Sequence, residues 1–470
     1  MHLGSALVAV ANAAFAKAMD GELLLRIDDT DAARSREEDS LDLLRMLRWL
    51  GIEWDEGPIY QHERAHVYTA ALTALEGRGD AYPCFCGDAR LTELRESQKR
   101  RNEPPRYDGR CRELDPVEAA RSIAAGAPHV LRFAVPAGRD VEIDDLVHGR
   151  VIVPSGSFGD PVLCRSDGSA GYLLASVADD LALHVTHVIR GEDHLHNTAR
   201  QLLLFEALGG QDRVPRFAHL PLLRDEEGRK LSKRDPLGTL EEIVDEGFLP
   251  TSIRRYLAEL LGQGPVDLLA EDGPEFQLPL VTSGAPRVDR VRLESLGRED
   301  MAELPLEQLV EGTALRPEPR YEPIMRELAA LSHSHVHLRG ELRLVFDGPG
   351  PGDLPHVLHI VAPDPARMDG IDAALELWTH ELRTDLEAGA GDDGVWAAPF
   401  LQRARSAGSE RGLGTRDMLQ PLRIALTGTT GGPGLDLVLT AIGAREALRR
   451  VHLARVIIEE LRGGERVAGG

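Results

Sequence analysis

Hydrophobic and polar positions in the first 60 residues alternate as expected for parallel α/β units. Apolar residues recur near one helical face after Ser5, so we expect Ser5 to be the N-cap of a helix over residues 6–19. The apolar run ELLLRI that follows predicts a short strand buried on both faces. A capping box formed by Ser35 and Glu38 then predicts a leucine-rich helix that Gly51 ends.

The pattern changes between residues 70 and 160, where a cysteine cluster, the Pro104–Pro105 break and short strand-like runs replace the regular alternation. We interpret this segment as an insertion in the α/β domain. The alternation returns over residues 172–208, and beyond about residue 245 the chain becomes mainly helical and rich in Leu, Arg and Glu. These changes predict an interrupted α/β domain followed by a helical region.

Composition narrows the class of protein. Of the 470 residues, 42% are apolar and 28% are charged, a mixture that can bury a large core. No run reaches the roughly 18 to 20 uncharged residues of a membrane span, and the N-terminus lacks the pattern of a signal peptide. Four cysteines cannot form a disulfide framework, so we expect a cytoplasmic protein without a membrane partner. The net charge of −23 argues against indiscriminate polyanion binding but leaves room for a local basic face.

Two short polar motifs could hold a nucleotide. His2, Gly4 and Ser5 lie at the predicted start of the first helix, where free amides and the positive end of the dipole favour an anion. Lys230 and Lys233 lie in the basic loop GRKLSKR, where two ammonium groups could neutralise the charge on a polyphosphate as its bond breaks. Taken singly, the first motif is more often an ordinary capped helix start, and the second is more often a solvated basic turn without a ligand.

Together, the two motifs resemble the paired nucleotide-binding motifs of class I aminoacyl-tRNA synthetases. The rest of the sequence resembles the glutamyl-tRNA synthetase family, closely over about 1–250 and 415–460 and poorly over roughly 260–410. The stretches that carry the resemblance are Leu25–Asp31, Glu53–Pro58, Arg106–Cys111, Thr186–His194, Lys230–Arg234, Pro421–Gly428 and Ala441–Gly443.

The resemblance implies an α/β fold, with a Rossmann-like doubly wound parallel sheet, an α+β insertion, and an all-α anticodon-binding region after it. It also implies a monomer that uses ATP and Mg²⁺ to ligate L-glutamate to the 3′-terminal adenosine of tRNA(Glu), through glutamyl-adenylate. The implied segments are two halves of a catalytic domain (1–70 and 166–220), an acceptor-arm insertion (71–165), a stem-contact region (221–310) and a helical anticodon-binding domain (311–470).

The resemblance also assigns roles to individual side chains. The residues implied for catalysis and ATP binding are His2, Gly4, Ser5, Glu192, Lys230 and Lys233, with His2 and both lysines acting on the phosphates. The residues implied for glutamate binding are Asp28, Tyr172, Ser176 and Arg190. Arg190 matches the arginine that the family aims at the side-chain carboxylate, and a planar guanidinium can bind a carboxylate through two parallel hydrogen bonds.

Two of these assignments have simpler alternatives in the residues themselves. Arg190 could instead neutralise Glu192 or Asp193, and Tyr172 could be plain core packing. Asp28 stands where the family usually has glutamate, and Ser176 where some relatives have asparagine.

The cysteine cluster resembles the zinc-binding insertion of the family. Cys84, Cys86 and Cys111 offer three thiolates, and a structural zinc site normally has four ligands. Among the short relatives that modify queuosine in tRNA, the fourth ligand is a tyrosine that corresponds to Tyr107; in other relatives a histidine takes the position of Glu113. We expect Zn²⁺ with Tyr107 as the fourth ligand ahead of Glu113, the alternative being a reduced remnant of a lost site.

The start of the chain departs from the family pattern, because relatives open with a strand and an Arg-x-Ala-Pro-Ser-Pro-Thr-Gly stretch ahead of the histidine motif. Loss of a central parallel strand would expose backbone groups and apolar surface, so we expect the natural protein to begin about 10 to 15 residues upstream of Met1. If Met1 is the true start, activity should be weak or absent.

The divergent stretch leaves the choice of tRNA open among tRNA(Glu), tRNA(Gln) or both. A short queuosine-type glutamyl transferase is disfavoured by the long helical region after the lysine loop, and a glutaminyl-tRNA synthetase by Asp29–Asp31 and Arg106–Cys111. A further alternative is a degenerate copy that binds tRNA or nucleotide without charging.

Overall fold

The computed structural model describes residues 1–30, 37–232, 234–235, 237–311, 321–350, 352–389 and 396–468. The chain forms two compact units. The first comprises Met1–Glu242 and Ile253–Arg290, and the second comprises Ile243–Ser252 and Val291–Gly470.

The first unit is mixed α/β. Its elements, with two helices that continue into the second unit, are α1 (Leu3–Ala18), β1 (Leu24–Ile27), α2 (Glu37–Trp49), β2 (Glu56–Tyr60), α3 (Ala65–Arg78), β3 (Ala81–Cys84), α4 (Asp88–Arg100), α5 (Pro116–Ala124), β4 (Val130–Phe133), β5 (Asp140–Asp145), β6 (Gly149–Pro154), β7 (Val162–Cys164), α6 (Tyr172–Ala182), β8 (His187–Gly191), α7 (Leu195–Ala207), β9 (Arg216–Leu220), α8 (Leu240–Asp245) and α9 (Pro250–Leu260).

Helix α1 begins earlier than its sequence predicts. The N-cap is His2, whose extended backbone and ring nitrogen Nδ1, 3.0 Å from the backbone nitrogen of Gly4, satisfy an amide that lacks a helical partner. The prediction that Ser5 caps this helix was therefore wrong, since Ser5 lies within the first turn. For α2, the predicted end at Gly51 is confirmed by its left-handed φ of +72°, whereas the predicted Ser35 cap lies outside the described residues.

Within the described residues, the strands of the first unit form three sheets. Parallel β8 and β9 continue through β5 to β6 in the order β6-β5-β9-β8, while β1 and β2 form a separate parallel pair. Antiparallel β3, β4 and β7 form the third sheet. Strand β5 comes from the segment predicted to be an insertion, yet it pairs in parallel with β9, with Asp145 opposite Phe217. Residues of β1 and β8 both line one cavity of about 1130 Å³.

The described residues of the second unit form helices joined by turns and irregular connections, with no strand among them. Its remaining helices are α10 (Arg290–Glu303), α11 (Leu306–Leu309), α12 (Glu322–Leu331), α13 (His335–Phe346), α14 (Asp353–Val361), α15 (Pro365–Glu387), α16 (Ala397–Glu410), α17 (Thr415–Thr427) and α18 (Leu435–Ala468).

Helix α18 is broken at Gly443, whose φ of 79° and ψ of 161° are not helical. Trp378 of α15 and Phe400 of α16 are buried at the centre of this unit with ring centroids 5.3 Å apart. The predicted α/β region followed by a helical region is thus confirmed. None of the helices in the described parts of the chain has the length and apolar character needed to cross a membrane.

Candidate active site

The cavity in the first unit gathers most of the side chains singled out in the sequence. Those that line it are His2, Gly4, Ser5, Asp28, Tyr172, Ser176, Arg190 and Lys230. Glu192 lies next to two lining residues, Gly191 and Asp193. Lys233 lies outside the described residues. The two motifs that are far apart in the chain therefore meet at one cleft.

Backbone contacts hold the start of α1 against the segment that follows the lysine loop. The amide of Leu3 donates to the carbonyl of Gly238 at 3.3 Å, and the amide of Leu240 donates to the carbonyl of Met1 at 2.9 Å. At Gly4, an added Cβ would lie 3.3 Å from the Nδ1 atom of His2, so a side chain there would crowd the capping contact. The positive end of the helix dipole is thus open to an anion in the cleft.

The lysine loop contributes an exposed cation. The Nζ atom of Lys230 lies 3.5 Å from a carboxylate oxygen of Asp193, and both side chains are largely exposed. Such a surface ion pair is weak, so a polyphosphate could replace Asp193 as the partner of the ammonium group. Downstream, Ser232 donates its amide and its hydroxyl to Asp235 at 2.6 and 2.7 Å, which fixes the turn of the loop.

Glu192 is held at the neighbouring edge of the cleft. Its Oε1 atom accepts the amide of Leu222 at 3.3 Å, and its Oε2 atom lies 3.7 Å from the Nε2 atom of His148. The carboxylate therefore has a defined position beside the strand that leads to the lysine loop.

Arg190, at the end of β8, uses four of its five N–H groups within the protein. Its Nε donates to the Nε2 atom of His219 at 3.2 Å, and one Nη1 hydrogen donates to the Tyr172 hydroxyl at 3.3 Å. Its Nη2 donates to the Thr198 hydroxyl at 2.7 Å and to the side-chain oxygen of Gln201 at 2.6 Å. The second hydrogen on Nη1 has no acceptor among the described residues and is available to a ligand.

The partners of Arg190 are uncharged or shared with other groups. Burial lowers the pKa of its guanidinium, and no described carboxylate lies within ion-pair distance of it. The alternative interpretation, in which Arg190 merely neutralises Glu192 or Asp193, is not seen. Glu192 instead contacts His148, and Asp193 contacts Lys230. A partly buried cation with no carboxylate in direct contact is costly, so this position favours an anionic ligand.

Tyr172 and Ser176, both on α6, surround this arginine in different ways. The Tyr172 hydroxyl accepts from Arg190 and lies 3.3 Å from the Nδ1 atom of His194, and burial raises the pKa of Tyr172. The Ser176 hydroxyl accepts from the Gln201 amide at 2.8 Å and donates to the carbonyl of Leu173 at 3.2 Å. Ser176 therefore supports the side chain that holds Arg190.

Asp28 lies on the other side of the cleft, beyond the end of β1. One of its carboxylate oxygens accepts from the Nε of Arg26 at 2.8 Å, and its side chain remains 38% exposed. Arg26 also donates to Asp180 at 2.7 Å, and burial raises the pKa of Asp180. Asp28 is thus a half-exposed carboxylate that a ligand ammonium group could approach.

Several residues that position this site were not found from the sequence. They are Asp145, Asp180, Thr198, Gln201 and His219. Thr198 and Gln201 are one helical turn apart on α7, a spacing that places both on one face, so their polar character on an otherwise buried face was the available signal. The contacts of Asp145 and His219 join different strands and had no local signal.

The three predicted cysteines also come together, in the antiparallel part of the first unit. The Sγ atoms of Cys84, Cys86 and Cys111 all lie within 4.8 Å of one another. Ligands at the ~2.3 Å distance of a zinc–sulfur bond would be roughly 3.8 Å apart in a tetrahedral site. The Tyr107 hydroxyl oxygen lies 3.4 Å from the Sγ of Cys84 and 3.5 Å from that of Cys86, whereas Glu113 is exposed.

Electrostatics at this cluster favour thiolate at one position. Burial alone would raise the pKa of Cys84, but hydrogen bonds from Tyr107 and the Cys86 backbone, together with Arg132, lower it overall. The Arg132 guanidinium lies over the Tyr107 ring, 4.0 Å from its centroid. The donor set and its spacing therefore fit a zinc ion, with Tyr107 better placed than Glu113.

The sequence of this chain is similar to those of known tRNA synthetases. Residues 1–270 match the family model for the catalytic domain of class I tRNA synthetases (E and Q), and residues 390–455 match an anticodon binding domain. A glutamate–tRNA ligase of Synechococcus sp. is 37% identical over 450 residues, covering 93% of this chain and 92% of the relative. Glutamate–tRNA ligase 1 of Gluconobacter oxydans is 35% identical over 466 residues, covering 96% and 95%.

A solved structure shares the fold. It is described as a glutamate tRNA ligase from Elizabethkingia meningosepticum in complex with its amino acid. It superposes on this chain with a TM-score of 0.80 at 23% sequence identity, covering 98% of this chain and 97% of that one.

Proposed function

This chain belongs to the family of class I tRNA synthetases for glutamate and glutamine. We propose that it is a glutamate–tRNA ligase and that the cleft around Arg190 binds and selects L-glutamate. The enzyme ligates glutamate to tRNA at the expense of ATP, through glutamyl-adenylate, and its helical region carries an anticodon-binding domain. The assignments of individual side chains below are ours.

The observation that carries the proposal is the half-buried Arg190 with its uncharged contacts and its available Nη1 hydrogen. The side-chain carboxylate of glutamate would supply the missing charge, with the Tyr172 hydroxyl as a second donor. This differs from the two parallel guanidinium contacts expected from sequence, because the Nη2 hydrogens are already used. Glutamine would leave the arginine without a counter-charge, so it would be rejected.

The remaining groups are arranged for the two chemical steps. In the first, an α-carboxylate oxygen of glutamate attacks the α-phosphorus of ATP, and pyrophosphate leaves with the electrons of the broken P–O bond. The start of α1, Lys230 and Lys233 would stabilise charge on the phosphates, to which Mg²⁺ adds further neutralisation. In the second, the 2′-hydroxyl of the terminal adenosine attacks the glutamyl carbonyl, and AMP leaves. Asp28 would hold the substrate ammonium group.

The direct test measures exchange of labelled pyrophosphate into ATP with glutamate or glutamine, each with and without tRNA. We expect exchange with glutamate in the presence of tRNA and background with glutamine. Equal rates with the two amino acids would overturn the assignment of the cleft, because the charge of Arg190 would then not select the substrate.

The lysine loop is tested separately in the same assay. Lys230→Ala and Lys233→Ala should each lower the exchange rate by about 10²-fold if they stabilise developing charge. The matched control is Arg229→Ala, which removes an exposed cation of the same loop that already pairs with Asp225 at 2.7 Å and should change the rate less than threefold. If Arg229→Ala is as damaging as Lys230→Ala, the loop contributes only general charge.

We further propose tRNA(Glu) as the acceptor. Charging of purified tRNA(Glu) and tRNA(Gln) transcripts tests this directly, and charging of tRNA(Gln) at a comparable rate would show a non-discriminating enzyme. The monomeric state stays a prediction, which sedimentation of the purified protein would check.

We propose that Cys84, Cys86, Cys111 and Tyr107 hold a structural Zn²⁺ ion, supported by their spacing. Purified protein should carry one zinc per chain by elemental analysis, and Cys111→Ser and Tyr107→Phe should lose it more readily to a chelator. Cys164→Ser is the matched control, because Cys164 is buried elsewhere in the first unit. Zinc-free protein with all four thiols reduced and full activity would contradict the assignment.

A further inference from the structure

A buried carboxylate–imidazole pair lies directly behind Arg190. The Nδ1 atom of His219, on β9, lies 2.6 Å from the Oδ2 atom of Asp145, at the end of β5, and both side chains have 0% exposure. The opposite ring nitrogen, Nε2, lies 3.2 Å from the Nε of Arg190. Asp145, His219 and Arg190 therefore form a continuous series of hydrogen bonds that leads from the end of β5 to the cleft.

For a neutral His219 ring, the donor on Arg190 favours one arrangement of protons. Arginine has only donors, so the Nε–H of Arg190 needs a lone pair on Nε2 of His219. The ring proton of a neutral His219 must then be on Nδ1, where Asp145 accepts it. A proton on Nε2 would put two donors face to face at 3.2 Å, and the Thr198 hydroxyl, 3.0 Å from Nε2, can donate to the same lone pair.

Asp145 is itself held by the backbone on its other oxygen. Its Oδ1 accepts the amides of Val147 and His148 at 3.0 and 2.9 Å, and the amide of His219 approaches it at 3.4 Å. Burial would raise the pKa of Asp145, but the contacts with His219 and these amides lower it overall. The carboxylate is therefore a fixed acceptor and cannot turn away from the ring.

We propose that Asp145 and His219 are positioning residues that fix the guanidinium of Arg190, so that its available Nη1 hydrogen and the Tyr172 hydroxyl face the side-chain carboxylate of glutamate. Asp145 sets the proton on Nδ1 of His219, and the ring then accepts from Arg190 and prevents its rotation. This inference rests on the proposed role of Arg190. The inference adds Asp145, on β5, to the residues that form the amino acid site, although Asp145 does not line the cleft.

The test compares steady-state constants of the full-length enzyme in tRNA-dependent pyrophosphate exchange. His219→Leu removes the acceptor, and loss of one buried hydrogen bond to a charged group predicts a KM for glutamate raised about 10- to 100-fold. The KM for ATP should change less than twofold. His219→Gln should recover most of the loss, because its carbonyl can accept from Arg190 while its NH₂ donates to Asp145.

Asp145→Asn provides a second variant that keeps an acceptor for the backbone amides but turns a donor towards the ring. It should move the ring proton to Nε2 and raise the KM for glutamate about 10-fold, whereas Asp144→Asn, at the exposed neighbouring position on β5, should leave both KM values unchanged. Nitrogen-15 spectra of histidine-labelled protein should show one ring in the Nδ1–H form, absent from His219→Gln. A merely structural role is separated by the two KM values, because it would raise the KM for ATP together with the KM for glutamate.

The outcomes separate this inference from the function on which it rests. If Arg190→Met leaves the KM for glutamate unchanged, the proposed role of Arg190 fails. If Arg190→Met raises it but His219→Leu does not, or raises the KM for ATP equally, only the positioning role of His219 and Asp145 is overturned. An Nε2–H signal for His219 in the unmodified enzyme would also overturn it, even if the leucine variant does not fold.

Discussion

Two arginines, the half-buried Arg190 of the first unit and the buried Arg450 of the second, show how the same side chain makes different contacts. Arg450, on α18, is 1% exposed; its Nε donates to Glu446 at 2.8 Å, and its other nitrogens donate to the carbonyls of Val345, Phe346 and Leu426 at 2.6 to 2.7 Å. Arg190 instead donates to uncharged side chains and keeps one hydrogen for the cleft.

The difference lies in where the counter-charge comes from. Glu446 supplies a carboxylate to Arg450, and the carbonyls belong to the ends of α13 and α17, which lack helical partners there. Arg450 is therefore complete without a ligand and stabilises the helical unit. Arg190 has no carboxylate in direct contact among the described residues, which supports the ligand-binding role proposed for it.

Replacing each arginine with methionine should produce opposite effects, and Arg190 gives the larger one. Arg190→Met removes the charge that pairs with the substrate and should lower kcat/KM for glutamate about 10³-fold, roughly 4 kcal/mol. The midpoint of thermal unfolding should change little, because removal of a partly buried charge offsets the loss of its hydrogen bonds to Thr198, Gln201 and His219. Pyrophosphate exchange kinetics measure the change in kcat/KM, and calorimetry measures the change in the unfolding midpoint. A large loss of stability would show that Arg190, like Arg450, mainly stabilises the fold.

Arg450→Met should do the reverse. It leaves three buried carbonyls and the Glu446 carboxylate without their donor, so we expect the free energy of unfolding of the helical unit to fall by about 3 kcal/mol. The KM for glutamate should stay within twofold at temperatures where the unit remains folded. Arg449→Met is the matched control, since Arg449 is exposed and pairs with the same Glu446. Similar destabilisation by both variants would show that only the charge of Glu446 matters.

The contrast also shows which parts of the molecule could be predicted from sequence. The leucine period of α2 and its end at Gly51 follow from local rules, because a glycine with a φ of +72° is a direct consequence of helix termination. The start of α1 did not follow, because the ring nitrogen of His2 performs a capping role that sequence rules assign to Ser, Thr, Asp or Asn.

The candidate site could be proposed from sequence where its residues belong to linear motifs. His2, Arg190 and Lys230 were singled out because each stands in a recognisable stretch, and all three line one cavity. Asp145 and His219 were missed because their contact depends on the parallel pairing of β5 with β9, which no local pattern reports. The described structure thus adds the supporting contacts that single residues in a sequence cannot reveal.

Tyr172→Phe tests how much the Tyr172 hydroxyl contributes, beside Arg190, to the recognition of glutamate. Loss of the hydroxyl removes a group that lies 3.3 Å from both Arg190 and His194, so the KM for glutamate should rise about 10-fold, equivalent to roughly 1.4 kcal/mol. Stability should change little, because the ring and its packing remain. The measurement is glutamate titration in the exchange assay with glutamine as competitor, and an unchanged KM would leave Arg190 as the sole determinant.

The smallest effect concerns the counter-charge of Arg450. Hydrogen bonds from Arg449 and Arg450 lower the pKa of Glu446 to about 2. A carboxyl whose folded pKa is depressed stabilises the fold above its unfolded pKa of about 4.3, and this contribution disappears as the pH falls through about 2. Glu446→Gln should therefore lower the free energy of unfolding by about 1 kcal/mol at pH 7, given its partial exposure, and by about half as much near pH 3. Denaturant unfolding at the two pH values measures the difference in free energy of unfolding between Glu446→Gln and the unmodified protein. A difference that does not depend on pH would mean that only the carbonyls of α13 and α17 hold Arg450. Arg450 would then resemble Arg190 in having no carboxylate partner that contributes.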